Sequence, residues 1–238
     1  MRLLVITAHP QYVGMFISGM IYKHTQRGDE VHVVALANAE CLTNIRPQDE
    51  LAEINKAEAR AACNILGVSS IRFLGYPDTF LVNTHELRLH LSDIIREIKP
   101  EIIVSHWPQD TLSDFRETGM AAIDASFNSL LVAGKWVEKY PSHWTKKLFA
   151  FQHPGLSVNF KPTTFIDISD ILDVKIKAMD CFKIQIECNF GNDLEKWHSF
   201  ILGPNRYWGV ESGCLYAEPY AQMEIHEVHN NASGFLEV

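Results

Sequence analysis

The chain has 238 residues, of which 47% are hydrophobic and 21% are charged, and its formal net charge is -8. This length and composition predict a folded protein with one large core and argue against a disordered chain. The acidic balance, with no run of basic residues, argues against a general binder of nucleic acid or of anionic membranes.

The N-terminus lacks a signal peptide, and no stretch approaches the roughly 18 apolar residues that a membrane span needs. The five cysteines contain no CxxC pair, which favours reduced, structural thiols. These features predict a cytoplasmic protein without a membrane partner.

The first predicted element is a strand over residues 3–6, an unbroken apolar run typical of a central parallel strand buried on both faces. A polar turn with His9 and Pro10 follows it, and Pro10 keeps His9 extended. A helix over 14–26 and a second strand over 31–36 come next.

Pro47 is expected to begin a helix that ends near residue 66, followed by a strand over 71–74. The spacing predicts that this helix buries Leu51, Ile54, Ala57, Ala61, Ala62 and Ile65. The next helix is expected to bury Leu87, Leu91, Ile94, Ile95 and Ile98. A fourth strand over 102–104 follows it.

The second half is less regular. It predicts a helix over 114–127, a loop-like aromatic segment over 134–147, strands over 148–152 and 164–168, and a long helix over 171–186. From about residue 187 the spacing predicts an irregular C-terminal part. The alternation of strands and helices predicts a single α/β domain over 1–238, with a Rossmann-like, mostly parallel sheet flanked by helices.

Polar residues follow three of the predicted strands. His9 follows the first strand, Asp78 the third, and His106, Asp110 and Asp114 the fourth. Because ligands of open α/β sheets bind at the carboxyl ends of the strands, this edge is the predicted site.

Three stretches carry a resemblance to a known family. They are Thr7-Ala8-His9-Pro10, the 106–110 loop followed by Asp114, and Val210-Glu211 with Tyr216-Ala217-Glu218. Together they resemble the PIG-L/LmbE family of zinc-dependent deacetylases of N-acetylglucosamine conjugates, with the bacillithiol- and mycothiol-type members nearest. The resemblance spans the chain to about Tyr220 and implies the α/β fold.

The motif positions that carry the family's chemistry differ in this chain. The resemblance implies zinc ligands at His9, Tyr12 and Phe115, a general base at Gln11 and an oxyanion-stabilising residue at Leu112. Only His9 has the family's residue type. Since a catalytic zinc generally needs three N, O or S ligands, the sequence predicts no zinc cofactor and no deacetylation by the family's route.

Three functions are compatible with these residues. The first is a pseudoenzyme whose cleft binds a sugar-like or other polar small molecule. Its candidate ligand-binding residues are His9, Gln11, Tyr12, Asp78 and Trp107. The resemblance implies a sugar contact at Asp78, whereas Asn55 stands where the family often has an arginine.

The second function is a hydrolase with other residues: Asp110, Asp114 and His106 as an acid–base set, or zinc in a site rebuilt from His9, His106 and Asp110. The third is a non-catalytic partner subunit, with homo-oligomerisation left open. Its candidate contact residues are Trp136, Tyr140, Trp144, Tyr207 and Trp208.

Structural roles compete with each functional one. His9 can bond backbone at a strand end, and Asp110 and Asp114 suit a turn and a helix start. His106 can be a buried core residue, while Leu112 and Phe115 are expected to fill the space of the implied metal.

Overall fold

A computed structural model describes residues 1–41, 46–131 and 139–223. Seven strands form one sheet in the order β3-β2-β1-β4-β5-β7-β6. The strands are β1 (Arg2–Thr7), β2 (Glu30–Ala37), β3 (Ser70–Tyr76), β4 (Ile102–His106), β5 (Lys147–Phe151), β6 (Thr164–Asp167) and β7 (Ala217–Met223). The first five are parallel, and β7 runs antiparallel to both β5 and β6.

Helices cover both faces of this sheet. They are α1 (Tyr12–Met15), α2 (Ser18–Gln26), α3 (Gln48–Leu66), α4 (His85–Ile98), α5 (Ser113–Asn128), α6 (Leu172–Met179), α7 (Lys183–Phe190) and α8 (Leu194–Ser212), with a short 3-10 turn at Ser169–Ile171. The predicted single-domain α/β fold with a mostly parallel sheet is confirmed.

Strand β1 lies at the centre of two hydrophobic cores. Leu3 and Val5 pack into the core on one face of the sheet, and Leu4 and Ile6 into the core on the other. This double burial explains why the strand has no polar alternation. The predicted apolar face of α4 is also fully buried.

The buried face of α3 differs from the predicted one. Asn55 and Ala59 are buried, whereas Ala57, Ala61 and Ile65 are exposed. Asn55 tolerates burial because its amide donates to the backbone carbonyls of Asn38 and Ala39 at 3.3 and 2.8 Å. Asn55 is thus a buried polar residue at a position that the apolar pattern did not include in the buried face.

Two predicted helices are each broken in the structure. The helix predicted over 14–26 is divided into α1 and α2, and the helix predicted over 171–186 into α6 and α7. The first break lies beside the buried ion pair of Lys175 with Glu218.

The prediction of an irregular part from about residue 187 was wrong where the structure describes it. Helix α8 has 19 residues and β7 joins the sheet. Helix α8 accommodates Pro204 in its interior, where proline is usually excluded. Trp136 and the residues after Met223 lie outside the described ranges.

Within those ranges, no helix combines the length and the apolar character that crossing a membrane requires.

Candidate functional site

The site lies where the strand order reverses. From β1 the chain proceeds outward to β2 and β3, then returns to place β4 on the other side of β1. The loops after β1 and β4 therefore separate and leave a crevice between them, the usual ligand position in open α/β sheets. His9 enters it from the loop after β1, and Asp114 from the first turn of α5.

A side-chain cluster of one imidazole and two carboxylates forms the polar centre of the crevice. His9 Nε2 lies 2.9 Å from Asp78 Oδ1 and 3.0 Å from Asp114 Oδ2. All three side chains are largely buried. The sequence predicted each residue as a site candidate, but it did not predict this grouping.

Backbone donors hold the two carboxylates in place. Asp114 Oδ2 accepts the N–H of Thr79 at 2.9 Å, and Asp114 Oδ1 accepts that of Leu81 at 3.2 Å. Asp78 Oδ2 accepts the N–H of Cys41 at 3.0 Å. These bonds attach the loop after β3 to α5. They hold Asp78 beside His9, although β3 lies two strands away from β1 in the sheet.

The cluster alters the ionisation of its members. Burial by itself lowers the pKa of His9, but the hydrogen bonds and charges of Asp114 and Asp78 outweigh it and raise that pKa to about 9. Burial raises the pKa of Asp78, yet the contact with His9 holds it below its usual value. Contact with the two carboxylates thus favours the protonated form of the His9 imidazole, and contact with His9 favours the ionised form of Asp78.

Aromatic rings fill the space beside the cluster. Phe115 stacks on His106 with ring centroids 4.8 Å apart and on His153 with centroids 5.4 Å apart. Tyr12 meets Phe115 edge-on at 4.9 Å. Burial, with the charges of His9 and His153, lowers the pKa of His106 well below its usual value. His106 is thus a neutral ring within an aromatic stack.

The cluster opens into a cleft of about 540 Å³, a size typical of small-molecule sites. Its polar lining includes His9, Gln11, Asp78, Gln185 and Asn189. Its aromatic lining includes Tyr12, Phe115, His153, Phe190 and Phe200. Polar groups that orient a ligand therefore face flat apolar surfaces in one cavity.

Asp110 and Trp107 are not among the residues that line this cleft. Asp110 accepts hydrogen bonds from Leu112 N at 3.0 Å and Ser157 Oγ at 2.7 Å, so both its oxygens are used. The Trp107 indole donates to the carbonyl of Val158 at 2.9 Å. The structure therefore brings Asp114 to His9, and it uses Asp110 to join two loops.

The sequence analysis missed several residues of the cleft, including His153 and Gln185. His153 follows the carboxyl end of β5, the same signal that identified His9 and His106. Gln185 lies on α7, which was predicted as part of a longer helix, so its direction was not predictable.

The positions where the resemblance implies zinc ligands do not fit a zinc ion. Burial and the charges of Asp110 and Asp78 raise the pKa of Tyr12 well above its usual value, so its phenol stays protonated. Phe115 offers no donor atom. Another set does fit, because one ligand atom each from His9, Asp78 and Asp114 lies within 4.8 Å of the others. Imidazole nitrogen and carboxylate oxygen are common zinc ligands.

The sequence and the fold have known relatives. The chain is 30% identical over 231 residues to a diacetylchitobiose deacetylase of Thermococcus kodakarensis, covering 91% of this chain and 81% of that protein. It is 26% identical over 191 residues to a 4-oxalmesaconate hydratase of Pseudomonas putida, covering 75% of this chain and 71% of that protein.

A solved structure of N,N'-diacetylchitobiose deacetylase from Pyrococcus horikoshii, complexed with its inhibitor MPG, is similar with a TM-score of 0.83 and 26% identity. That match covers 93% of this chain and 83% of the other. Residues 4–126 match the family described as PIG-L, GlcNAc-PI de-N-acetylase, and include His9, Asp78 and Asp114. The chain therefore belongs to the PIG-L family.

Proposed function

We propose that this protein binds an uncharged, sugar-like small molecule in the cleft and does not deacetylate it by the zinc-dependent route of its family. The observation that carries the proposal is that aromatic rings, Tyr12 and Phe115, pack against His9 at the two other positions where the resemblance implies metal ligands.

The lining of the cleft supports a sugar-like ligand. Rings of Tyr12, Phe190 and Phe200 offer flat apolar faces, and Gln11 and Asn189 offer hydrogen-bonding amides. Sugar rings combine apolar C–H faces with a polar rim and match such walls. The deacetylases similar to this chain are named for acetylated amino-sugar substrates.

Calorimetry with methyl glycosides of N-acetylglucosamine, glucosamine and glucose tests the proposal. Phe200→Ala removes an aromatic face from the cleft and should weaken binding about three- to tenfold. Tyr207→Ala, on the same helix but outside the cleft lining, is the matched control and should bind as the wild type does. Absence of heat with all three glycosides would contradict the proposal.

A second candidate is a metal-dependent hydrolase or hydratase. The grouping of His9, Asp78 and Asp114 favours it, as do the deacetylase and hydratase relatives. These three residues would hold the ion, in a set different from the His9, His106 and Asp110 considered from sequence. A zinc ion held there would supply an activated water for hydrolysis or hydration, because catalytic zinc generally lowers the pKa of its bound water to about 7.

Metal analysis of protein purified without chelators or a His tag separates the two candidates. The binding proposal expects little zinc with or without added metal. The metal-dependent candidate expects near-stoichiometric zinc that is lost in Asp78→Asn and retained in Asp110→Asn, because the Asp110 carboxylate accepts from Leu112 and Ser157 instead of joining the His9 cluster.

A further inference from the structure

Helix α8 has a narrow exposed stripe opposite the face that it buries. The inner face packs against the rest of the fold through four buried residues: Trp197, Ile201, Asn205 and Gly209. The opposite face carries four aromatic, apolar or small residues at steps of three, four and three positions: Phe200, Gly203, Tyr207 and Val210. We call these four residues the α8 seam. Its three side chains are 38%, 57% and 69% exposed in that order.

The spacing of the α8 seam is typical of a helix that packs lengthwise against another helix. Alternating steps of three and four residues place side chains on one stripe, as at the contact of a coiled coil. The apolar surface continues to the edge strand β6, because the Trp208 ring lies 4.8 Å from that of Tyr207 and 5.9 Å from that of Phe165. Continuous exposed apolar surface of this kind indicates a contact with another protein.

The seam is complementary to itself in the antiparallel direction. Phe200 and Tyr207 are equally far in sequence from the midpoint between Gly203 and Pro204. When two copies of α8 cross at that midpoint, Phe200 of each copy is level with Tyr207 of the other. A Cβ at Gly203 would meet no atom within 4 Å, so the crossing point is open and the two backbones approach closely there.

The charges beside the seam favour the same antiparallel arrangement. Lys196 and Glu211 are both exposed and are also equally far from the midpoint. An antiparallel crossing therefore brings Lys196 of each copy to Glu211 of the other, whereas a parallel crossing brings like charges together. The Lys196 ammonium lies 3.1 Å from Asp193 on the same helix, yet 74% of its side chain is exposed and available to a second copy.

We propose that α8 pairs antiparallel with α8 of a second copy of this chain, about a two-fold axis at Gly203. Two-fold contacts are the commonest in soluble oligomers, and they require a surface that is complementary to itself. Phe200 belongs both to the seam and to the cleft lining, but Gly203, Tyr207 and Val210 lie outside that lining. The inference therefore does not depend on what the cleft binds.

Sedimentation equilibrium over a range of protein concentrations tests the pairing. The wild type should associate into an even number of chains. Gly203→Glu should halve that number or weaken association at least about a hundredfold, because it buries two carboxylates at the crossing point. The variant should still fold, since the position is open and glycine is a poor helix former. Leu194→Glu adds the same charge at an exposed position of α8 outside the seam and is the matched control.

Charge reversal tests the direction of the pairing. Lys196→Glu and Glu211→Lys should each weaken self-association about tenfold, because both symmetry-related pairs become repulsive. An equimolar mixture of the two variants should associate as the wild type does. In the mixture, one chain carries only acidic and the other only basic side chains at these two positions, so both pairs are attractive again.

Each contrary result would overturn the proposal. A wild type that stays monomeric would leave the seam to a partner of another kind. An oligomer that Gly203→Glu does not change would place the contact elsewhere, and a mixture that does not associate would exclude the antiparallel arrangement. Val210→Glu, at a position that is 69% exposed, is the second seam variant if Gly203→Glu fails to fold by circular dichroism.

Discussion

The ammonium group of Lys175 lies 2.7 Å from Oε1 of Glu218, and neither side chain is exposed to solvent. Lys175 also donates to the carbonyl of Met15 at the end of α1. Glu218 accepts the N–H groups of Gly19 and Met20 in the first turn of α2. This buried pair therefore stabilises the break between α1 and α2. The break directly follows Met15, which lines the cleft.

Lys175→Met should destabilise the protein by about 3–5 kcal/mol, because it leaves the Glu218 carboxylate buried without its counter-charge. Urea unfolding measures the loss. Lys177→Met, which breaks an exposed pair with Asp173 on the same helix, should cost about 0–1 kcal/mol. Equal losses in the two variants would show that the buried pair has no special role.

Phe115→Ala should destabilise the protein by about 3–5 kcal/mol, because Phe115 is 2% exposed and stacks between two imidazole rings. Phe80→Ala is the control, since Phe80 is 74% exposed, and its effect should stay within about 0.5 kcal/mol. Chemical denaturation of both variants checks the difference. A small loss for Phe115→Ala would mean that the ring does not fill a rigid core.

Glu58 is expected to make stability depend on pH. Burial raises its pKa to about 7, despite the hydrogen bond that its Oε1 accepts from Ile184 N at 3.1 Å. An unfolded glutamate titrates near pH 4.3, so the folded state holds its proton more tightly between about pH 4.3 and 7. The stability that this bound proton contributes is fully present below about pH 4.3 and is lost as the pH rises through about 7.

Glu58→Gln should remove this dependence, so the free energy of unfolding of the variant should rise relative to wild type between pH 4.3 and 7. Urea titrations at several pH values give the comparison. Glu195→Gln, at an exposed position on α8, should follow the wild type. A difference between Glu58→Gln and wild type that stays constant with pH would contradict the raised pKa.

Restoring ligands at the positions implied by the family should increase zinc uptake. Tyr12→Asp/Phe115→His adds a carboxylate and an imidazole beside His9, which completes three ligands. Tyr12→Asn/Phe115→Leu changes the same positions without adding strong ligands and is the matched control. Metal analysis after zinc addition should show more zinc per chain only in the first variant. Equal zinc in both would mean that these positions do not decide metal binding.

Local patterns were sufficient for several elements. The apolar run before His9 predicted β1, and the spacing from Leu87 to Ile98 predicted the buried face of α4, because one element's burial follows from its own periodicity. The same reasoning failed for α3, where Asn55 is buried and donates to the carbonyl of Ala39 in the connection that precedes the helix. It also missed α8 and β7, in the part after about residue 187 whose spacing predicted no regular element.

The sequence by itself determined the fold class, the family resemblance and the edge of the sheet that carries the polar residues. It also showed that Tyr12 and Phe115 stand where the resemblance implies metal ligands. Only the tertiary structure decided that His9 contacts Asp78 and Asp114, while Asp110 bonds to Ser157. The reason is physical: these pairings depend on how the loop after β3 crosses to α5, and no local periodicity encodes the path of a loop.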